Sequence, residues 1–315
     1  MTKSKLYTLL IYSLFFIINC SNSGDIKFNY LQVPNEFIKN ESISDLDFSG
    51  YRDITSYLPE GYSTGGNIDY TSYIQKALDN EKKILMPNFP ILVNTNGLSV
   101  HSNTSILFQS KSNIIIEPND KTNYGAINII NKSNINLYNV KVTGDRYKHL
   151  GNKGEWGMGI NIIGSKNINI INPKVTQCWG DGIYIGTKGI LSENIIISGG
   201  IVDDNRRNGI SIISGKDITV KNIVLSNTNG TLPMAGIDLE PNNANEVLSN
   251  INLININSYN NAKYGYDVNL TKLLSDNINT VIINIENCKD FFTPYSTIIP
   301  PDIIIFSDKI PLVPI

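Results

Sequence analysis

The sequence predicts an all-β protein wound as a parallel β-helix, and three observations carry that expectation. A short pattern, Gly-apolar-x-apolar, recurs at Gly159, Gly182, Gly209, Gly236 and Gly265, with spacings of 23, 27, 27 and 29 residues. A second pattern, Asn or Asp followed by Ile, falls between these copies at Asn113, Asn134, Asn167, Asn194, Asp217, Asn250 and Asn277. A third short apolar stretch follows each one, such as Val140-Lys141-Val142, Val175-Thr176, Ile201-Val202 and Val224-Leu225. Three short β-branched strands and three polar turns per period make one coil of a stacked solenoid. A propeller needs four strands per blade and a leucine-rich repeat needs regularly spaced Leu, so both fit less well.

Composition agrees. The 315 residues include 52 Ile and 44 Asn, two types that disfavour helix interiors. An AT-rich genome would also enrich them, so their placement matters more than their number. Charged residues are 17% and the net charge is −2, which supplies no basic stripe for nucleic acid.

Residues 1–20 read as an export signal. Lys3 and Lys5 precede the apolar run Leu6 to Ile18, which is short for a membrane span and suited to a signal core. The run ends at Ile17-Ile18-Asn19-Cys20 and resembles a bacterial lipoprotein signal, with Cys20 the lipidated residue. Asn19 stands where a small residue is usual. The expectation is an exported protein, either secreted or held at the cell envelope, touching membrane through a lipid anchor only. Cys178 and Cys288 then remain, and a disulfide between them is open. His101 and His149 show no metal-ligand spacing, and His149, in a polar loop, is expected at the surface.

Residues 21–103 are expected to form a linker and a small N-terminal α/β cap. Asp69 to Leu78 reads as a capped helix, and Lys83–Pro87 and Pro90–Val93 as strands around a turn. Covering the open end of the stack protects its unpaired strand edges. Residues 104–290 hold about seven three-strand coils. Residues 291–315, rich in Pro and Ile, are expected to cap or trail the other end.

These residues resemble the pectate-lyase-like superfamily of right-handed parallel β-helices, over most of residues 50–290. The entry block Asp69 helix, Ile84-Leu85-Met86-Pro87 and Ile91-Leu92-Val93 is similar to that of rhamnogalacturonase- and epimerase-like members. The Gly-Ile strands from 157 to 240 are similar in register to polygalacturonases, whose catalytic set is not carried over. Gly157-Met158-Gly159 lacks the first acid, Gly180-Asp181-Gly182 keeps one Asp of a pair, and Asn208 replaces a His. Gly236-Ile237-Asp238-Leu239-Glu240 is acidic where that family is basic. Alginate epimerases are less similar still, because Glu240-Pro241-Asn242 lacks their His. The resemblance implies a right-handed β-helix and polysaccharide chemistry, and leaves the sugar open.

The candidate groove follows the longest insertion, Gly144 to Gly157. Strand alternation turns Ile160, Ile183, Ile210 and Ile237 inward and Asn161, Tyr184, Ser211, Asp238 and Asp267 outward. Asp238 and Glu240, two apart on one strand, would lie roughly 6.5–7 Å apart. That falls in the window of an inverting glycosidase pair, one carboxyl protonating the leaving oxygen and one activating water. Asp181, Asp238 and Glu240 are therefore the candidate catalytic residues. Candidate substrate contacts are Glu155, Trp156, Trp179, Tyr184, Asp203, Arg206, Arg207, Ser211 and Asp267. The Trp and Tyr rings suit sugar faces, and Arg206, Arg207 and Lys263 suit an acidic sugar's carboxylate. Asp203-Asp204 reads first as turn chemistry. No cofactor is expected, with Ca²⁺ at Asp181, Asp203 and Asp204 the weak exception.

The leading expectation is an exported glycoside hydrolase acting on a polysaccharide. The alternatives are a uronic-acid lyase or epimerase, with Arg206, Arg207 or Tyr184 as base, and a non-catalytic glycan-binding or structural β-helix.

Overall fold

A computed structural model describes residues 28–273 and 281–295, with the backbone of 304–305. The signal run and Cys20 lie outside the described residues. The chain winds as a parallel solenoid of about eight turns with three sheets. The groove sheet has seven strands: Leu98–Ser99, Asn123–Ile130, Trp156–Ile163, Ile183–Gly186, Ile210–Ile212, Ala235–Leu239 and Tyr264–Val268. An eight-stranded sheet runs from Pro90–Val93 to Lys289–Phe291, and a ten-stranded sheet from Arg52–Asp53 to Ile304–Ile305. Every pairing is parallel except the last, where Ile304–Ile305 lies antiparallel to Ile282–Glu286.

Register follows the sequence pattern. Ile160, Ile183, Ile210 and Ile237 pair in line, and each is fully buried. The ten-stranded sheet adds a second inward column, Ile168, Ile195, Ile218 and Ile251. Each such side chain removed from water stabilises the fold by about 1.5–3 kcal/mol.

The repeated Gly has a steric cause. A methyl group built on Gly209 would lie 2.4 Å from the Gly236 carbonyl oxygen, and one on Gly236 would lie 2.7 Å from that of Gly265. Backbones of successive coils meet at this column, so no side chain fits. The repeated Asn has another cause. Asn134, Asn167, Asn194 and Asn250 all have φ of 55–58°, a left-handed conformation that Asn tolerates. Their amides form a ladder: Asn134 donates to Asn103 at 2.8 Å, Asn167 to Asn134 at 2.9 Å and Asn194 to Asn167 at 2.7 Å.

Two expectations change, and one open point is answered. Lys83–Leu85 and Pro90–Val93 pair in register with Thr104–Leu107 and Asn113–Ile116, so the coils begin about one turn earlier than residue 104. The cap proper is the helix Thr71–Asn80, which buries Thr71, Ile74, Ala77 and Leu78 on one face. Asp69 holds its start by accepting from the Thr71 N–H at 2.8 Å.

Residues 28–50 are neither linker nor cap. They run as a strap outside the coils, where Leu31 bonds Asn227 at 3.1 Å and Glu41 bonds Asn172 at 2.6 Å. Gly199 and Gly200 interrupt a second Asn ladder, and the Glu41 carboxylate fills the gap by accepting from Ser198 and Asn222. Finally, Cys178 and Cys288 are both free thiols. Among the described residues, no helix is long and apolar enough to cross a membrane.

Candidate active site

Tyr184, Ser211, Asp238 and Asp267 do form one column, paired coil to coil on the outer face of the groove sheet. Arg207 is inserted into this column. Its guanidinium Nη1 donates to both oxygens of Asp181, at 3.0 and 3.2 Å, and lies 3.9 Å from Asp238. Nη2 lies 4.0 Å from Glu240, and Nε lies 3.7 Å from Glu155. One cation thus lies within 4.0 Å of four carboxylates drawn from three coils.

Burial divides those carboxylates. Asp181 and Asp238 are 0% exposed beneath Arg207, itself 12% exposed at the side chain, while Glu240 is 29% and Glu155 49% exposed. Burial pushes the Asp181 carboxyl up, against the opposing Arg207 charge and the Asn208 N–H. It pushes Asp238 well above the ordinary carboxylate range, and Asp181, Glu240 and Asp267 add to the effect while Arg207 opposes it. Asp267 is also raised, by burial and by Glu240, against Lys263 and Arg207. A buried carboxyl among other carboxylates holds its proton to higher pH. The Asp238 Oδ2 atom accepts from the Asn208 amide at 2.9 Å, whereas Oδ1 is buried and has no hydrogen-bond partner.

Asn208 organises this floor. Its side-chain NH₂ also reaches the Ser211 hydroxyl at 3.0 Å, its backbone N–H donates to Asp181 at 3.2 Å, and its side-chain Oδ1 accepts from the Ala235 N–H at 3.0 Å. Sequence reading marked Asn208 only as the residue standing where a relative has His. Its place directly after Arg207 in a Gly-Ile coil was the available signal.

The 144–157 insertion forms one wall. The Arg146 side chain is nearly covered, donating to Asp204 at 2.9 Å and to the Asn229 backbone carbonyl at 2.7 Å. His149 is not at the surface, as its polar loop suggested. Its side chain is 0% exposed, with Nδ1 2.8 Å from Asp145. Asp145 also accepts from the Tyr124 hydroxyl and, at 2.9 Å, from Asn119. The His149 ring stacks 3.9 Å from Trp179, and Arg206 covers that indole at 3.8 Å. Arg206 then donates to the Gly154 carbonyl at 2.8 Å. This stack fixes the loop end. A methyl on Gly180 would lie 2.3 Å from the Glu155 carbonyl oxygen, so only Gly allows Glu155 to rest on the coil that carries Asp181.

Several expected substrate contacts are thereby taken. Trp179 has His149 near one side and Arg206 over the ring, which leaves it to packing. Ser211 is fully buried beneath Asn208. Asp203 is buried in the eight-stranded sheet, accepting from Tyr30 at 3.0 Å, Ser226 at 2.7 Å and Asn227 at 2.8 Å. Asp204 is a turn residue with φ of 57°. Among the described residues no three His, Cys, Asp or Glu side chains are placed to hold a metal, so Asp181, Asp203 and Asp204 do not form the Ca²⁺ site considered from sequence. Trp156 remains 51% exposed at the groove edge, and Tyr184 is half-buried.

No protein-family model matches the chain, and no curated protein matches it. Solved structures do. An N-terminal fragment of bacteriophage Phi29 gene product 12 is 18% identical with a TM-score of 0.56, covering 68% of this chain and 38% of its own. PfbA, a surface adhesin of Streptococcus pneumoniae, is 16% identical with a TM-score of 0.53, covering 76% of this chain and 62% of its own. An iota-carrageenase complexed to iota-carrageenan fragments is 14% identical with a TM-score of 0.49, covering 73% of this chain and 53% of its own. The chain spans less than two thirds of each of these proteins. What the chain shares with these structures is the parallel β-helix seen in its own strand order. At such identities the likeness establishes the fold alone.

Proposed function

We propose that this chain is an exported glycoside hydrolase that cleaves a polysaccharide laid along the groove sheet, with Asp238 as general acid and Glu240 as general base. The observation that carries the reading is the contrast between the two carboxyls. Asp238 is fully buried and its carboxyl is pushed well above the carboxylate range, so it retains a proton to give. Glu240 is partly exposed and accepts from the Asn269 amide at 2.8 Å. Acid and base roles follow from such divided environments. Two residues along a strand separate them by roughly 6.5–7 Å, leaving room for a water.

Arg207 lies about 4 Å from both carboxylates and occupies the intervening space. Its shorter bonds go to Asp181, so Asp181 is assigned as the anchor of Arg207 rather than an acid or base. Substrate entry turns the guanidinium about that anchor and uncovers Asp238. Trp156 and Tyr184 then face the sugar. The sequence of residues 1–20 supports export, with Cys20 as the lipid anchor.

The lyase reading loses support at its base. Burial, with the Asp181 and Glu246 charges, pushes the Tyr184 hydroxyl up to about 12, which makes it slow to ionise. Arg207 is held charged by Asp181 and Asp238, and Arg206 is spent on Trp179. A binding-only reading is favoured by one fact, the zero exposure of Asp181 and Asp238.

Release of reducing ends from a polysaccharide panel tests the proposal. Asp238→Asn and Glu240→Gln should each lower turnover about 10²–10⁴-fold while the circular dichroism stays unchanged. Rate should fall at high pH as Asp238 loses its proton. Full cleavage by both variants removes these residues from the mechanism, and a product absorbing in the ultraviolet indicates elimination. Saturable binding without turnover across the panel supports the third reading.

A further inference from the structure

The charge balance of the groove is opposite to what an acidic sugar needs. Asp181, Asp238, Glu240, Asp267 and Glu155 surround one guanidinium, that of Arg207. The cations expected to receive a carboxylate are occupied. Arg206 stacks 3.8 Å over Trp179 and donates to the Gly154 and Trp179 carbonyls at 2.8 and 3.3 Å. The Lys263 ammonium lies 4.6 Å from the Tyr264 ring and offsets Asp267. An anionic ring placed here would meet the partly exposed carboxylates Glu155 and Glu240, with Arg207 already bonded to Asp181, inside a partly desolvated site where like charges repel.

A second observation points to a ligand. Asp238, on the outward face of its strand, is 0% exposed, and its Oδ1 atom has no hydrogen-bond partner. Buried polar atoms are nearly always satisfied, so an orphan in a groove marks a place for a hydrogen-bonding group of a ligand. The Arg207 Nε atom likewise makes no hydrogen bond, with the Glu155 carboxylate 3.7 Å away. The partly exposed carboxylates Glu155, Glu240 and Asp267 rim the same spot.

We infer that the groove selects a glycan carrying a free amine, an un-acetylated amino sugar whose ammonium sits among Glu155, Glu240 and Asp267 as Arg207 turns aside. This rests on the hydrolase reading for its site and extends it to the substrate class. The ammonium supplies several donors to carboxylates left when the guanidinium moves. A uronate or sulfated unit supplies no cationic donor and is repelled.

Binding is measured with the full chain by titration calorimetry at low salt, at a pH where the amine is protonated. The probes are a glucosamine hexamer, its fully N-acetylated form and a galacturonate hexamer. The glucosamine hexamer should bind about tenfold or more tighter than the acetylated form, the worth of charge-assisted hydrogen bonds. The galacturonate hexamer should bind weakest. Raising the salt should shrink the preference. Glu155→Gln and Asp267→Asn should each reduce it, while Asp120→Asn, an exposed acid outside the groove, should leave it unchanged. Equal affinity for the amine and acetylated forms, tighter binding of galacturonate, no binding of the amine form, or an equal effect of Asp120→Asn overturns the inference. Amine-selective binding without cleavage sinks the hydrolase reading and leaves the inference standing. Cleavage of a neutral or acidic glycan without amine preference does the reverse.

Discussion

Replacing Arg207 with Leu removes the only guanidinium between Asp181 and Asp238 and leaves two carboxyls that are 0% exposed. Breaking a buried ion pair from one side costs about 3–5 kcal/mol when the remaining charge must stay ionised. The contacts to Glu155 and Glu240 add little, being about 4 Å long at carboxyls 49% and 29% exposed. The cost should depend on pH, and the sign is fixed. Asp181 and Asp238 already titrate above their unfolded values. In the window above about pH 3.9 the folded chain therefore binds more protons than the unfolded one, and stability falls as pH rises. Arg207 opposes that shift, so its loss carries the two titrations higher and widens the window. Each additional proton held by the folded variant steepens the decline by about 1.4 kcal/mol per pH unit.

Urea unfolding followed by circular dichroism should show Arg207→Leu destabilised by about 3–5 kcal/mol near pH 8 and by less than half of that near pH 4.5. Arg207→Lys, which keeps the charge and loses the fork, should fall between Leu and wild type. A loss equal at both pH values, within about 0.5 kcal/mol, would refute the argument that Arg207 acts by pairing with the buried Asp181 carboxylate.

Two further outcomes test the coil itself. Gly209→Ala places a methyl 2.4 Å from a backbone carbonyl and should cost about 1–3 kcal/mol, read as a lower urea midpoint. Asn167→Ala removes a ladder amide bonded on both sides, at 2.9 and 2.7 Å, from a residue with φ of 55°. It should cost about 2 kcal/mol by combining lost hydrogen bonds with left-handed strain, and an unchanged thermal midpoint would contradict the ladder's role.

The parallel coil, its inward Ile columns and the outward line from Tyr184 to Asp267 were legible in the sequence by itself. The reason is local. Strand alternation has a period of two, Asn accepts the left-handed turn, and both repeat in step with the chain. Sequence also gathered Asp181, Asp238, Glu240 and Arg207 in neighbouring coils. It could not say that Arg207 lies across the acids, that Ser211 and Trp179 are already covered, that His149 is buried, or that residues 28–50 strap the coils. Most of those facts depend on contacts between coils, such as Arg207 to Asp181 and Glu41 to Asn172, and on how the 144–157 loop folds back. Exposure and charge state belong to the packed site, because desolvation is set by whatever lies above a group and not by the strand that carries it. Tertiary structure alone therefore decided which carboxyl keeps its proton and which sign of charge the groove presents.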